Sequence, residues 1–299
     1  AAKATQAALT AAHRNGGQLP GVIAEKIDPQ ILADVPRPKT VVCVSGTNGK
    51  TTTNNLLNDL LADNGYEVVN NRAGGNVANG IQSTLIRNAT MSGGTKKDMA
   101  VMELDELSFR KVLPYLTPDV ILVTNLYRDS FSRNANPDFI FNVMSHYVSP
   151  KTKLVLNADD LISCRLAPQD ANRVYYSIGR LADDTAEPQG IVCDLTACPV
   201  CGGKLEYDYC HLRHLGHATC KSCGFTNPEP DYELTALDRE AHTFTVCERS
   251  HEGAPTHTYR YGNYSITNLY NLFSTVVVAR ELGLSAEAIG ASLERGINV

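Results

Sequence analysis

The chain has 299 residues, 43% hydrophobic and 20% charged, with a formal net charge of −5. This is the composition of an ordinary soluble globular protein with enough chain for a large core, and its acidic balance argues against a nucleic-acid partner, which asks for a basic face. No apolar run reaches the roughly 18 residues of a membrane span. The alanine-rich start, AAKATQAALTAAHR, reads as a helix without the apolar core of a signal peptide. Nine cysteines in such a chain point to a reducing compartment, the cytoplasm, where paired cysteines hold metal more often than they form disulfides.

Residues 1–39 read as that helix, a break at Gly16-Gly17 and a connector ending in Pro36 and Pro38. Next comes VVCVSGTNGKTTT, 41–53. Four β-favouring residues, Val41 to Val44, run into a loop with Gly46 and Gly49, and a helix begins at Lys50. Strand, glycine loop and helix in that order form a phosphate site. Backbone amides of Gly46, Thr47, Asn48 and Gly49 can approach a polyphosphate, and the helix N-terminus adds positive potential. Lys50 can reach the terminal phosphates, and a hydroxyl of Thr51 or Thr52 can bind Mg²⁺. The loop is read as an ATP site.

Strands are expected at 41–45, 66–70, 99–103, 120–124, 153–157 and 173–177, and helices at 50–63, 77–88, 107–113, 137–148 and 160–166. Such alternation predicts a parallel sheet covered on both faces, with ligands at the C-terminal strand ends. Glu103 closes the run MAVME, with Asp105 and Glu106 close behind; a carboxylate at that position suits Mg²⁺. Asp159 in VLNADD can be a plain helix N-cap, and Asn76 in AGGNVANG part of a simple turn, unless a family resemblance gives these positions a functional role.

The pattern changes between about 180 and 240. Cys198-Pro-Val-Cys201 and Cys220-Lys-Ser-Cys223 stand 18 residues apart. Two tight C-x₂-C turns can bring four thiolates round one zinc ion, and four sulfur ligands leave no open position, so the metal is expected to be structural. Cys193, Cys210, Cys247, His211, His214 and His217 lack the paired spacing and read as ordinary polar or core residues unless Cys210 substitutes as a ligand; Cys43 and Cys164 read as core. Beyond, HTFTVCE and THTYRYG alternate as two antiparallel strands, and the stretch YGNYSITNLYNLFSTVVVARELG begins a long helix with Ser265 or Thr267 as its cap. A shorter helix is expected near 285–295.

The loop departs from the general P-loop spacing, which would need glycine where Val44 stands. In its form G-T-N-G-K-T-T the chain closely resembles the Mur ligase family of ATP-dependent amide-bond-forming enzymes. That resemblance implies the family's central α/β domain, interrupted here by a Cys₄ zinc ribbon: 40–180 and 240–299 as the ATP-binding domain, 181–239 as the insert. It favours Glu103 as the metal carboxylate with Glu106 second, and assigns Asn76, Asn125 and Asp129 to substrate and Asn268 and Asn271 to the nucleotide base, a helix-capping role being the alternative for the last two. Two departures bear on substrate and metal: Ser130 stands where the family has a metal- and substrate-contacting histidine, and 137–148 lacks the family's lysine. Neither a nucleotide-sugar domain before the loop nor the family's C-terminal domain is expected within these residues.

The insert and the short N-terminal segment resemble the MurT-type branch of the family. This implies an ATP-dependent carbon–nitrogen ligase of peptidoglycan synthesis that amidates the D-glutamate α-carboxyl of the lipid II stem peptide at the inner face of the membrane. Ammonia would come from a glutamine amidotransferase partner of the GatD type. A folylpolyglutamate-synthase-like ligase and a non-enzymatic zinc-ribbon module switched by ATP are the alternatives.

Overall fold

The computed structural model describes residues 17–297 apart from 73–74, 128–136, 168–171, 188–194, 196, 213 and 263–264. The expected helix over 1–14 therefore lies outside the described residues, as do Asp129, Ser130 and Cys193. Helices α1 (Leu19–Ile27) and α2 (Ile31–Asp34) lie in the connector. Strand and helix then alternate: β1 (Thr40–Ser45), α3 (Lys50–Asp63), β2 (Val68–Asn70), α4 (Ala78–Asn88), β3 (Met99–Glu103), α5 (Phe109–Val112), β4 (Val120–Val123), α6 (Pro137–Tyr147), β5 (Lys153–Asn157) and β6 (Arg173–Ile178). A hairpin follows, β7 (Leu205–Leu212) and β8 (Leu215–Cys220), then β9 (Tyr232–Asp238), β10 (Thr243–Glu248), β11 (Thr256–Arg260), α7 (Ile266–Glu281) and α8 (Ala286–Glu294).

Nine strands form one sheet in the order β11-β10-β9-β6-β5-β4-β1-β3-β2. All neighbours from β2 to β9 pair parallel, while β10 runs antiparallel between β9 and β11. Strands such as VVCV and VILV are apolar throughout because both faces are covered. Val42 and Val44 point towards α3, α7 and α8, where they meet Leu57, Leu60, Phe273 and Val277. Val41 and Cys43 point the other way, into a core with Ile81, Leu85, Phe109 and Met144 from α4, α5 and α6.

Two expectations are corrected. The helix expected over 160–166 is a turn and a short 3₁₀ segment, Ser163–Arg165. Side chains there cap the chain locally: Asp159 N–H donates to Asn157 Oδ1 at 3.0 Å and Ile162 N–H to Asp160 Oδ1 at 3.0 Å, which competes with helical bonding. The stretch 107–113 divides into a 3₁₀ turn, Glu106–Ser108, capped by Asp105, and α5. Within the 181–239 stretch, β7 and β8 form a separate two-stranded sheet while β9 joins the main sheet beside β6. Buried Tyr232 and Leu234 of β9 need a neighbour on that edge, and β6 supplies it.

Candidate functional site

β1, β3 and β4 end side by side, Val44 opposite Glu103 and Ser45 opposite Val123, so the loops leaving them share one edge. The loop after β1 turns through two left-handed glycines, Gly46 at φ 123° and Gly49 at φ 85°. Each is also pressed by a neighbour. A methyl group on Gly46 would run into Thr124 and the Asn125 backbone, and one on Gly49 into the Asn271 carboxamide, so both positions need glycine.

The β4 loop holds this turn in shape. Asn48 N–H donates to Asn125 Oδ1 at 3.0 Å, Asn125 Nδ2 returns a bond to the Asn48 carbonyl at 3.1 Å, and Thr124 Oγ1 donates to the same carbonyl at 2.7 Å. Thr47 N–H donates to the Asn125 carbonyl at 2.8 Å, and Thr47 Oγ1 donates to that of Tyr127 at 3.0 Å. The loop is thus fixed from behind, leaving its mouth to a cleft of about 780 Å³ whose lining includes Thr47, Lys50, Asn76, Glu103, Glu106 and Ile140.

Glu103 and Glu106 of the cleft both have partners, neutral ones for Glu103 and a lysine for Glu106. Thr51 Oγ1 donates to Glu103 Oε2 at 2.8 Å and Asn76 Nδ2 to Glu103 Oε1 at 2.8 Å. Lys50 Nζ folds back onto the Gly46 carbonyl and reaches Glu106 Oε1 at 2.9 Å. Burial pushes the Glu106 carboxyl above the usual carboxylate range, against the opposing pull of Lys50. The cleft therefore offers a carboxylate and a hydroxyl side by side for a hard cation, and a lysine whose counter-charge a phosphate can replace.

Thr52 lines the same cleft, while Asn271 is buried against Gly49. Asn268 sits in the first turn of α7, its N–H facing Ser265 Oγ at 3.5 Å, so Ser265 rather than Thr267 is the cap. That helix start borders a second cleft of about 450 Å³ with Leu181, His211, Tyr261 and Leu269 in its walls. Asn71 is a site residue the sequence did not single out. Buried behind Glu103, it accepts from the Glu103 N–H at 2.9 Å and donates to the Glu103 carbonyl at 2.8 Å, fixing the carboxylate's backbone. An asparagine just past a strand was the one available signal.

The four cysteines of the hairpin region converge. Their sulfurs lie within 4.8 Å of one another, with Cys198 Sγ 3.7 Å from Cys223 Sγ and Cys201 Sγ 3.5 Å from Cys220 Sγ. A tetrahedron with metal–sulfur bonds of about 2.3 Å has edges of about 3.8 Å, whereas a disulfide needs about 2.05 Å. The donor set fits a metal ion. Burial raises the Cys220 thiol, but the amides of Cys223 and Ser222 and the thiols of Cys201 and Cys223 outweigh that and bring it down to about 6. Cys210 is buried apart from this cluster, its N–H bonded to the Thr185 carbonyl at 2.7 Å. Among the described residues no other group of three or more metal-ligating side chains converges.

A mostly parallel α/β sheet that brings a glycine loop, a strand-end carboxylate and a lysine onto one cleft has the layout of a phosphate-loop fold. Residues 44–200 match the Mur ligase middle domain, and the chain belongs to the Mur ligase family. It is 35% identical to the lipid II isoglutaminyl synthase (glutamine-hydrolyzing) subunit MurT of Staphylococcus aureus (strain COL), over 98% of this chain and 64% of that protein. The MurT subunit of Streptococcus pneumoniae (strain ATCC BAA-255 / R6) is 29% identical over 94% of this chain and 61% of its own length. The chain thus spans somewhat under two thirds of these relatives.

Among solved structures, a pseudomurein peptide ligase type C from Methanothermus fervidus superposes with a TM-score of 0.68 at 26% identity, covering 90% of this chain and 51% of that one. MurF ligase from Thermotoga maritima in complex with ADP shares the fold, with a TM-score of 0.54 at 16% identity over 91% of this chain and 52% of that one. No helix among the described residues is long and apolar enough to cross a membrane.

Proposed function

We propose that this chain binds Mg·ATP at Gly46–Thr52 and acts in ATP-dependent amidation of the D-glutamate α-carboxyl in the stem peptide of lipid II. Residues 40–180 and 240–299 form the ATP-binding domain, and 181–239 the metal-bearing insert, which lends β9 to the main sheet. The observation that carries the reading is the pairing of Thr51 with Glu103 at 2.8 Å on the cleft that Lys50 also lines. The substrate and the reaction are drawn from the MurT subunits, whose identity spans nearly the whole chain.

In this reading Glu103 and Thr51 hold Mg²⁺, with Glu106 in reserve, and Asn71 keeps Glu103 in place. Loop amides and Lys50 bind the phosphates, Lys50 leaving Glu106 as it does so. Asn271 faces the loop, and Asn268 orients the base towards the second cleft. Asn76 lines the cleft on the acceptor side, Asn125 acts on substrate only through the loop it braces, and a substrate role for Asp129 rests on the family resemblance alone. The substrate carboxylate attacks the γ-phosphorus, giving an acyl phosphate and ADP, and ammonia then displaces phosphate to leave the amide. Positioning and charge stabilisation supply the catalysis, without a side-chain nucleophile. Zn²⁺ held by Cys198, Cys201, Cys220 and Cys223 is structural.

Ammonia is too dilute at neutral pH to serve well as a free nucleophile, which favours a partner that releases it from glutamine, a GatD-type amidotransferase. The complex works in the cytoplasm, drawn to the inner face of the membrane by lipid II. The test is an assay of the chain co-expressed with such a partner, given Mg·ATP, glutamine and lipid II. Amidated lipid II detected by mass, formed one-for-one with ADP, is the expected result. Nucleotide binding without any product would point to an ATP-switched binding module, and glutamate addition to a folyl substrate to the other ligase class.

A further inference from the structure

The metal hairpin is sewn into the sheet edge that carries the nucleotide site. The Gly216 N–H donates to the Asp159 carbonyl at 3.0 Å. Buried Asn227 donates to the carbonyls of Ala158 at 2.6 Å and Gly216 at 2.9 Å, and accepts from the Ala218 N–H at 2.8 Å. His211 on β7 places Nε2 2.8 Å from the Ile178 carbonyl and Nδ1 2.9 Å from the Asp184 carboxylate. Within the hairpin, Gly216 lets β8 lie close against β7, since a methyl group there would strike the Tyr209 carbonyl.

From the same residue a second link leads inward. The Asp159 carboxylate, 2% exposed, accepts at Oδ2 from the Ile178 N–H at 2.8 Å and from the Tyr270 hydroxyl at 2.7 Å. Tyr270 precedes Asn271, whose carboxamide packs over Gly49. Neighbouring residues on an α-helix point about 100° apart, so a pin on Tyr270 fixes the rotation of this turn of α7 and with it the direction of Asn271. Charge-assisted bonds away from water are short and directional enough to act as such a pin.

We infer that Asp159 and Tyr270 are positioning residues for the phosphate loop, and that through them metal binding at the hairpin and nucleotide binding at the loop strengthen each other. The coupling is reciprocal: the factor by which bound metal tightens nucleotide is the factor by which nucleotide tightens metal. This rests on the proposal that the loop binds Mg·ATP.

The experiment measures the Kd for Mg·ATP by calorimetry on the full chain, zinc-loaded and zinc-depleted, for wild type, Tyr270→Phe and Tyr175→Phe. Tyr175 is the control, because its hydroxyl donates to the Cys164 carbonyl at 3.1 Å on a path that does not touch α7. Zinc depletion is expected to weaken binding by wild type and Tyr175→Phe about tenfold. Tyr270→Phe should bind about tenfold more weakly even when loaded, and change less than twofold on depletion.

Tyr270→Phe binding as wild type does, or depletion costing both the same factor, overturns the inference while leaving the nucleotide site standing. A wild type that does not bind Mg·ATP overturns both. Should depletion unfold the chain, the loaded comparison still decides, together with zinc affinity measured by chelator competition. Mg·ATP is expected to raise zinc affinity in wild type and not in Tyr270→Phe, and an equal rise in both also refutes the coupling.

Discussion

Thr51 Oγ1, in the first turn of α3, and Glu103 Oε2, at the end of β3, meet at 2.8 Å, and Asn76 holds the other Glu103 oxygen at 2.8 Å. Both of these partners are neutral, so neither balances the carboxylate's charge, which suits a cation. Glu103→Gln keeps the size and one acceptor while removing that charge. It should lower Mg·ATP-dependent ADP formation by about a hundredfold, the effect of losing one preorganised charge contact. The melting temperature should move by no more than a degree or two. Turnover near the wild-type rate would remove Glu103 from the metal site.

Lys50 and Glu106 form a buried ion pair at 2.9 Å, with side chains 14% and 11% exposed. Lys50→Ala should reduce turnover about a hundredfold or more, for lack of charge on the transferring phosphoryl group. It also strands a buried carboxylate. Burial already holds the Glu106 carboxyl above its ordinary value, and losing the lysine raises it further. A group raised in the folded state contributes stability that is complete below its unfolded pKa and is lost as pH rises through the folded one. The stability deficit of Lys50→Ala should therefore grow with pH, and Lys50→Ala/Glu106→Gln should recover stability without activity. Urea titrations at several pH values check the first point and an ADP assay the second.

Features governed by local chemistry were legible in the sequence. Gly46 and Gly49 mark the loop because only glycine takes its left-handed turns at no cost, and the two C-x₂-C pairs mark the metal cluster because tetrahedral sulfur coordination demands that spacing. Features made by distant pairing were not. Nothing near Asn71 announces that it brackets Glu103, and nothing near Asp159 announces Tyr270, 111 residues away. The turn at 157–162 reads as a helix start because Asp159 resembles a cap, and only the structure shows its side chain spent on β6 and that of Asp160 on the turn itself and the loop after β4.

Asp159 sets a specific pH dependence. Burial raises its carboxyl from 3.8 to about 6, opposed by His211, the Ile178 amide, Tyr270 and His217. Because the folded value is the higher one, its stabilising contribution is full below about 4 and is lost as pH rises through about 6. The shift corresponds to about 3 kcal/mol. Asp159→Asn cannot titrate, so the stability of wild type minus that of the variant should fall by roughly this amount between pH 4 and pH 7. Carboxylates held below their usual range, such as Glu248 beside Arg280, titrate alike in both proteins and cancel in the difference. A flat difference curve from urea unfolding would mean that Asp159 stays charged throughout.

The metal cluster gives the last expectation, one zinc ion per chain. Cys198 and Cys220 are buried with the core on the α4, α5 and α6 side of the sheet, whereas Cys201 and Cys223 are exposed, so a chelator has access to two of the four sulfurs. Structural zinc in small ribbons contributes apparent binding energies on the order of 10 kcal/mol, far more than a two-stranded hairpin can supply alone. Removing it should unfold at least β7 and β8, seen as loss of amide-exchange protection there. The strands β1, β3 and β4 should stay protected, since their core of Val42, Cys43, Val101 and Ile121 keeps α3, α4 and α7 packed on its two faces when the hairpin is lost. Cys198→Ser should bind less than one zinc and show the same local loss. A variant that keeps the hairpin protected without zinc would mean that Asn227 and the Gly216 contact hold it unaided.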